Sequence, residues 1–437
     1  MTRPWQTPLW HDLPREKGVT QMEIGDFPML SLNERDRRWT ELRKRMSIRQ
    51  VDALLLFGSD AGYGRAFSNF RYVTHFADSR GAWAIFPIKG ECTIMCGPRH
   101  IHLPHFRYKA FGSWVSDFRP DYGINYLIAE LMERGLDKSR IAIVTCPPST
   151  VSLDLIPQVA MEKLRQELPG VEFVDGNVMI AEMRIIKSEE ELGFLYKAAE
   201  LARKQVEALI NGMQVGRTEA DLYADMFSAS VRNGGEPQLF NLMATGNVFD
   251  DDPGFKFLLH GCSQPGCPTM RKLRDGDLAI CEFHTQYGGY MSGCEFSVFL
   301  GNAPKELREI HAACMEALDT GIKNIKPGAT MGEAWRAMRK VVLDRGMDFV
   351  ELGFHGHGLA SPEFPDGGVY REEDVPRSAV LGDVPFEEDM TVVMNIDVHN
   401  PNWRKDVGLK YGEMLHITKC GAKPLINFPR EFICNKA

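Results

Sequence analysis

Three stretches of this chain set acids and imidazoles at alternate positions. ICEFHTQYGGYMSGCEFSVF (280–299) carries Glu282 and His284, then Gly293 and Glu295. DMTVVMNIDVHN (389–400) carries Asn395, Asp397 and His399, and FHGHGLA (354–360) carries His357 in a glycine-rich turn. Side chains in a strand alternate faces, so residues two apart look into the same space. A buried carboxylate beside imidazoles has its pKa moved by desolvation and by neighbouring charge, toward the range where it can exchange protons near neutrality. Histidine needs the least tuning of all side chains to act as a base there. General acid–base chemistry is what such a set could do.

Each of these residues also has a plain structural reading. An imidazole in FHGHGLA can be a satisfied core group, and a one-residue slip in register would turn His284, Asp397 or His399 to the other face. Cys281 and Cys294 read as packing thiols rather than nucleophiles. Glu295 lies between Cys294 and Phe296 on an apolar strand, where an unpaired carboxylate would be costly without a purpose. HGCSQPGC places Cys262 and Cys267 near His260, but no second cysteine pair completes a zinc knuckle. The acids of GNVFDDDPGF read as a solvated loop.

The elements that must position these residues follow from period and punctuation. A chain of 437 residues exceeds one ordinary core, so two domains are expected. The first, 33–182, is a mixed α/β unit after an N-terminal arm (1–32). ERDRRWTELRKRMSIRQ is helical by period, VDALLLFG is a buried strand, and FRYVTHFADS, GAWAIFPIKG and ECTIMCG read as short strands. NYLIAELMERGL and KLRQELPG alternate as helices with the strands RIAIVTC and VEFVDG. In the second, 183–437, SEEELGFLYKAAELARKQVEALINGM opens on Ser188 with Glu191 three residues on, a capping-box pattern. Helices from TEADLYADMF, 304–324 and TMGEAWRAMRKVVLDRGM follow, then two closing strands, TVVMNIDVHN and GLKYGEMLHITKCG. Helices on one face of a mostly antiparallel sheet make an α+β domain.

A net charge of −8, with Lys and Arg interspersed among acids, excludes an electrostatic footprint for nucleic acid or an anionic membrane. No apolar run approaches the ~18–20 residues needed to span a bilayer. The N-terminal MTRPWQTPLWHDLPREKG has no apolar h-region, so a cytoplasmic protein with free thiols is expected.

Several motifs together resemble the pita-bread fold family of creatinase, prolidase, aminopeptidase P and methionine aminopeptidase. MRIIKSEEE (183–191) is similar to the segment that starts the catalytic domain. MQVGRTEADL and IKPGATMGEAW resemble the paired helix starts of the fold's two pseudo-symmetric halves. RDGDLAICEFHTQYGGYMSGCEFSVFLG resembles the hairpin that carries two metal-binding aspartates, FHGHGLA the histidine turn, and DMTVVMNIDV and GLKYGEMLHIT the strands that each donate a glutamate. The resemblance implies a pita-bread catalytic domain behind a smaller creatinase-type α/β domain. It also implies a homodimer in which the N-terminal domain of one subunit closes its neighbour's site, with Arg80 and Trp83 near the substrate-binding position.

Carried over residue by residue, the family's ligand places fall on Glu282, Gly293, His357, Asn395 and Gly412. Three of these five cannot donate a carboxylate, and a two-metal clamp cannot be built from Glu282 and His357 alone. Strand parity from those places would gather Glu282, His284, Glu295, Asp397 and His399 around His357. The expectation is therefore an enzyme with no metal or other cofactor: a metal-independent, creatinase-like hydrolase of a C–N bond in a small polar metabolite. Its catalytic residues would be His357, Glu295, Glu282 and His284, and its substrate-binding residues Asp397, His399, Asn395, His260, Arg80 and Trp83. Three alternatives stay open: a small-molecule lyase, a mononuclear metal-dependent hydrolase of the same fold, and a non-catalytic binding module. Glu413, one place off a ligand position, is expected to be structural.

Overall fold

The computed structural model describes residues 28–59, 67–77, 81–96, 114–119, 123–145, 158–237, 240–251, 260–261, 268–369, 384–404 and 406–437. Arg80 lies outside them.

The most apolar run of the N-terminal part, ALLLFG, forms β1 (Ala53–Gly58), which is almost entirely buried. It is flanked by β2 (Ala82–Pro87) and by β5 (Arg140–Val144), and β3 (Thr93–Cys96), β4 (Asp117–Arg119) and β6 (Glu172–Asp175) complete a six-stranded sheet ordered β4-β3-β2-β1-β5-β6. The sheet is mixed: β1 runs antiparallel to β2 and parallel to β5. Trp83 of β2 packs with Leu55, Leu127, Leu131 and Leu164 in the core of this sheet, its ring 4.6 Å from Phe57. At 4% exposure it is a core residue, and this corrects the expectation that it binds substrate. FRYVTHFADS also departs from expectation. It forms a helix, Ser68–Thr74, because Phe67, Phe70 and Val73 recur every three residues and together make one buried helical face.

The second sheet holds β7 (Asn241–Asn247), β8 (His260–Gly261), β9 (Asp277–Tyr287), β10 (Tyr290–Leu300), β11 (Asp348–Gly356), β12 (Glu363–Val369), β13 (Thr391–His399) and β14 (Gly408–Thr418), in the order β12-β11-β13-β14-β10-β9-β7-β8. Helix Glu189–Gly212 packs on β9 and β10, and helix Lys305–Asn324 packs on β13 and β14. Each carries a second helix, Glu219–Val231 and Met331–Asp344. The halves match at the level of single residues: Thr218 with Asp221, and Thr330 with Glu333, form capping boxes at the two helix starts. Ser188 with Glu191 forms a third. The helices cover one face of the sheet, and its other face carries the candidate residues.

Candidate active site

Strand register sets the candidates in rows across the second sheet. Glu282 of β9 faces Glu295 of β10, which faces Gly412 of β14; Gly412 faces Asn395 of β13, which faces Gly353 of β11. Two residues along the strands, on the same face, Lys410, Asp397 and Glu351 form a second row. In the other direction His284 faces Gly293. Parity therefore works as expected for Glu282, His284, Glu295, Asn395 and Asp397.

The second row is a charge cluster, buried at Asp397 and Lys410 and half-buried at Glu351. Carboxylate oxygens of Glu295, Glu351 and Asp397 lie within 4.8 Å of one another. The Lys410 ammonium stands 2.5 Å from Asp397 Oδ2 and 3.5 Å from Glu295 Oε1. Burial and the Asp397 charge push the Glu295 carboxyl well above the usual range. Asp397 is held up to about 6 by burial and by Glu351, although Lys410 opposes the rise. Burial works against the charge on Lys410, but Asp397 and Glu295 outweigh it and keep the ammonium protonated. Asn395 Nδ2 donates to Glu351 Oε1 at 2.9 Å, and Asn395 Oδ1 has no hydrogen-bond partner among the described residues.

The imidazole row lies beside it. The backbone of His357 is pinned by Thr391, whose carbonyl accepts from the His357 N–H and whose hydroxyl donates to the His357 carbonyl at 2.5 Å. Its Nδ1 donates to the Met291 carbonyl at 2.9 Å, which leaves Nε2 as a bare lone pair with no partner among the described residues. Burial, then the neighbouring His355, lowers its pKa to about 3, so it is neutral at physiological pH. In that neutral form Nε2 can accept a hydrogen bond. The His284 ring stacks on Phe240 at 4.1 Å, meets Ser361 Oγ at 3.2 Å and turns its edge to His357 at 5.2 Å.

The remaining candidates are spread more widely. His399 ends β13 opposite Gly408 and Asp348, one step beyond the charge cluster. The backbone of His260 lies on β8 beside Met243, three strands from Glu295, with β7 and β9 between. Glu413 faces away, as expected, and accepts from the Ile426 and Asn427 amides at 2.9 and 3.1 Å. The residues that sequence reading missed are Lys410 and Glu351. Lys410 had a signal, the one basic residue in GLKYGEML, two residues before a ligand place. Glu351 sits in DFVELGFHG, which had not been assigned as a strand.

The Creatinase/Prolidase N-terminal domain family matches residues 38–186, and Metallopeptidase family M24 matches residues 194–419, more than half of the chain. The chain belongs to metallopeptidase family M24. An Xaa-Pro dipeptidase of Pyrococcus horikoshii is 27% identical over 281 residues, 64% of this chain and 73% of that protein. One of Pyrococcus furiosus is 26% identical over 277 residues, 62% and 72% of the two chains. The fold matches the crystal structure of the prolidase from P. horikoshii at a TM-score of 0.72, with 21% identity over 91% of this chain and 100% of that one. Dipeptidase PepE from Mycobacterium ulcerans superposes at 0.69, with 21% identity over 94% and 100%. These matches correct the main functional expectation. The family is one of metallopeptidases and both named relatives are dipeptidases, so the metal-independent C–N hydrolase gives way to the metal-dependent alternative. Nothing in them supports a lyase.

At two of the M24 ligand places this chain has no room for a side chain. A Cβ on Gly293 would lie 2.9 Å from His357 Nε2 and 3.2 Å from His284 Cδ2. One on Gly412 would lie 2.9 Å from the Glu295 amide nitrogen and 3.0 Å from its Cγ. Two imidazoles fill the first place and Glu295 fills the second. A pair of ions held in the M24 manner does not fit these residues. The Glu295, Glu351 and Asp397 oxygens, with the unpartnered Asn395 Oδ1 at their side, fit one hard cation.

Proposed function

We propose that this M24 chain hydrolyses an amide bond in a small peptide-like substrate, with an Xaa-Pro dipeptide as first candidate, using one divalent ion held by Glu295, Glu351 and Asp397. One observation carries the reading: two buried carboxylates, Glu295 and Asp397, and the half-buried Glu351 converge on the open face of an M24 sheet, with the Lys410 ammonium the one cation paired with them among the described residues. When bound, the ion supplies Lewis acidity toward the scissile carbonyl and toward a water. His357, neutral and with Nε2 bare, accepts a hydrogen bond from the substrate at the surface that Gly293 leaves without a side chain. Glu282, half-buried opposite Glu295, takes the proton of the attacking water and returns it to the leaving amine. The stacked ring of His284 walls this space and fixes His357 from the side. The same proposal includes a homodimer, which sedimentation equilibrium would reveal.

The test is turnover of proline-containing and proline-free dipeptides before and after chelation, with metal analysis of the protein that was assayed. Cleavage lost on chelation, restored by Mn²⁺ and accompanied by one ion per chain is the expected result. Cleavage indifferent to chelation, or no turnover of any peptide, would overturn the reading.

A further inference from the structure

We infer that the Lys410 ammonium is a built-in cation occupying part of the M24 two-ion space, so that this chain accepts no more than one divalent ion. The single ion belongs to the function proposed above, whereas the assignment of Lys410 rests on its own geometry. Lys410 lies on β14 two residues before Gly412, the family's ligand place, and so projects from the same face. Its side chain is 6% exposed, and its Nζ stands 2.5 Å from Asp397 Oδ2 and 3.5 Å from Glu295 Oε1. The shorter spacing, to Asp397, is close to the distance at which carboxylates hold hard divalent ions, and the longer one is that of an ion pair.

Charge counting points the same way. Glu295, Glu351 and Asp397 carry at most three negative charges, and Lys410 cancels one of them. The two charges left are met by one divalent ion; a second would leave the buried site strongly positive. A second ion would also sit within a few ångström of an ammonium in a poorly screened interior, where like charges repel strongly. The row that Lys410 faces has meanwhile lost two acids, since Asn395 and Gly412 stand where the family carries glutamates.

The experiment is equilibrium dialysis against Mn²⁺ with elemental analysis, on the full chain and on Lys410→Met, Lys410→Gln and Lys410→Arg, with melting temperatures measured in EDTA and in Mn²⁺. The wild-type chain and Lys410→Arg are expected to take up at most one equivalent. Lys410→Met or Lys410→Gln is expected to bind Mn²⁺ at least roughly tenfold more tightly, or to take up an additional equivalent, because a nearby positive charge is gone. The melting temperature of either variant should rise in Mn²⁺ more than that of the wild type. Two equivalents in the wild type would overturn both this inference and the single-ion reading. No uptake by the wild type, with uptake gained by Lys410→Met, would support the inference and overturn the single-ion function. One equivalent in every protein at unchanged affinity would overturn the inference alone. Failure of Lys410→Met and Lys410→Gln to fold with or without Mn²⁺ would make the ammonium a structural ion-pair partner only, and would equally overturn it.

Discussion

Glu363 and Asp397 are both buried carboxylates of the M24 domain, yet their surroundings are opposite in balance. Glu363 is met by two cations: Arg184, in a close ion pair, and Lys187 at 2.9 Å, with the Ala360 amide donating at 3.3 Å. Burial would raise its pKa, but Arg184 and Lys187 outweigh burial and hold it below the usual range. Around Asp397, one ammonium serves three carboxylates, and both Asp397 and Glu295 are pushed up instead. Arg184 and Lys187 come from the MRIIKSEEE motif, which this geometry makes a clasp between the segment leading into helix Glu189–Gly212 and β12. Burying a charge therefore does not by itself mark a reactive place. A cluster left short of counter-charge does, because it still calls for a proton, a cation or a substrate group.

The largest effect should come from breaking the balanced cluster. Glu363→Gln leaves Arg184 and Lys187 buried without a carboxylate, so a loss of about 3–5 kcal/mol in unfolding free energy is expected. Urea denaturation would measure it, and a loss under about 1 kcal/mol would mean that the clasp is not what holds these charges.

Asp397→Asn should do the reverse. Removing one acid from a cluster with excess negative charge should leave stability within about 1 kcal/mol of the wild type, while kcat/KM for dipeptide hydrolysis falls roughly 100-fold or more. Paired denaturation and kinetic measurements read both quantities. A variant that unfolds readily but keeps its residual activity would place Asp397 with Glu363 as a structural acid.

His357 sharpens the comparison by pH. Its folded pKa is about 3, against an unfolded value near ~6.5. Between those values the unfolded chain binds the extra proton, so the stability from neutral His357 is complete above pH ~6.5 and is lost as pH falls toward 3. Asp397 works the other way. Its folded value of about 6 lies above the unfolded ~3.9, so its contribution is present at low pH and is lost as pH rises through 6. His357→Gln should therefore flatten the acid limb of the stability profile by about 2–3 kcal/mol near pH 4.5. An acid limb identical in the variant and the wild type would show that His357 is already protonated, or solvated, in the folded chain.

What the sequence made legible follows the range of the interactions involved. Caps and strand parity are local, and they placed the Ser188 box, the hairpin Glu282–Glu295 and the run Asn395–Asp397 on their proper faces. The short helix Ser68–Thr74 was mistaken for a strand because seven residues carry too little periodicity to separate the two. Lys410 and Glu351 were missed because their meaning lies in cross-strand register, which brings β11, β13 and β14 together from residues sixty apart. The proton inventory of His357 was not legible for a related reason: full burial, and a carbonyl on a distant strand, set it.

The smallest effect tests whether the glycines at the ligand places are vacancies or packing solutions. If Gly293 were merely a lost aspartate, Gly293→Ala would be harmless and Gly293→Asp would restore metal binding. The geometry says otherwise, because a Cβ there already lies 2.9 Å from His357 Nε2. Crowding of that kind costs typically 1–3 kcal/mol, and an imidazole able to shift by a few tenths of an ångström keeps it near the lower end, about 1 kcal/mol. Gly293→Ala should lower stability by that amount at pH 7, and Gly293→Asp should lower it further without gaining an equivalent of Mn²⁺. Denaturation and metal analysis of the two variants separate the cases. An aspartate that is tolerated and binds an ion would mean that His357 and His284 yield the space readily, and that the metallopeptidase clamp is one substitution nearer than this packing implies.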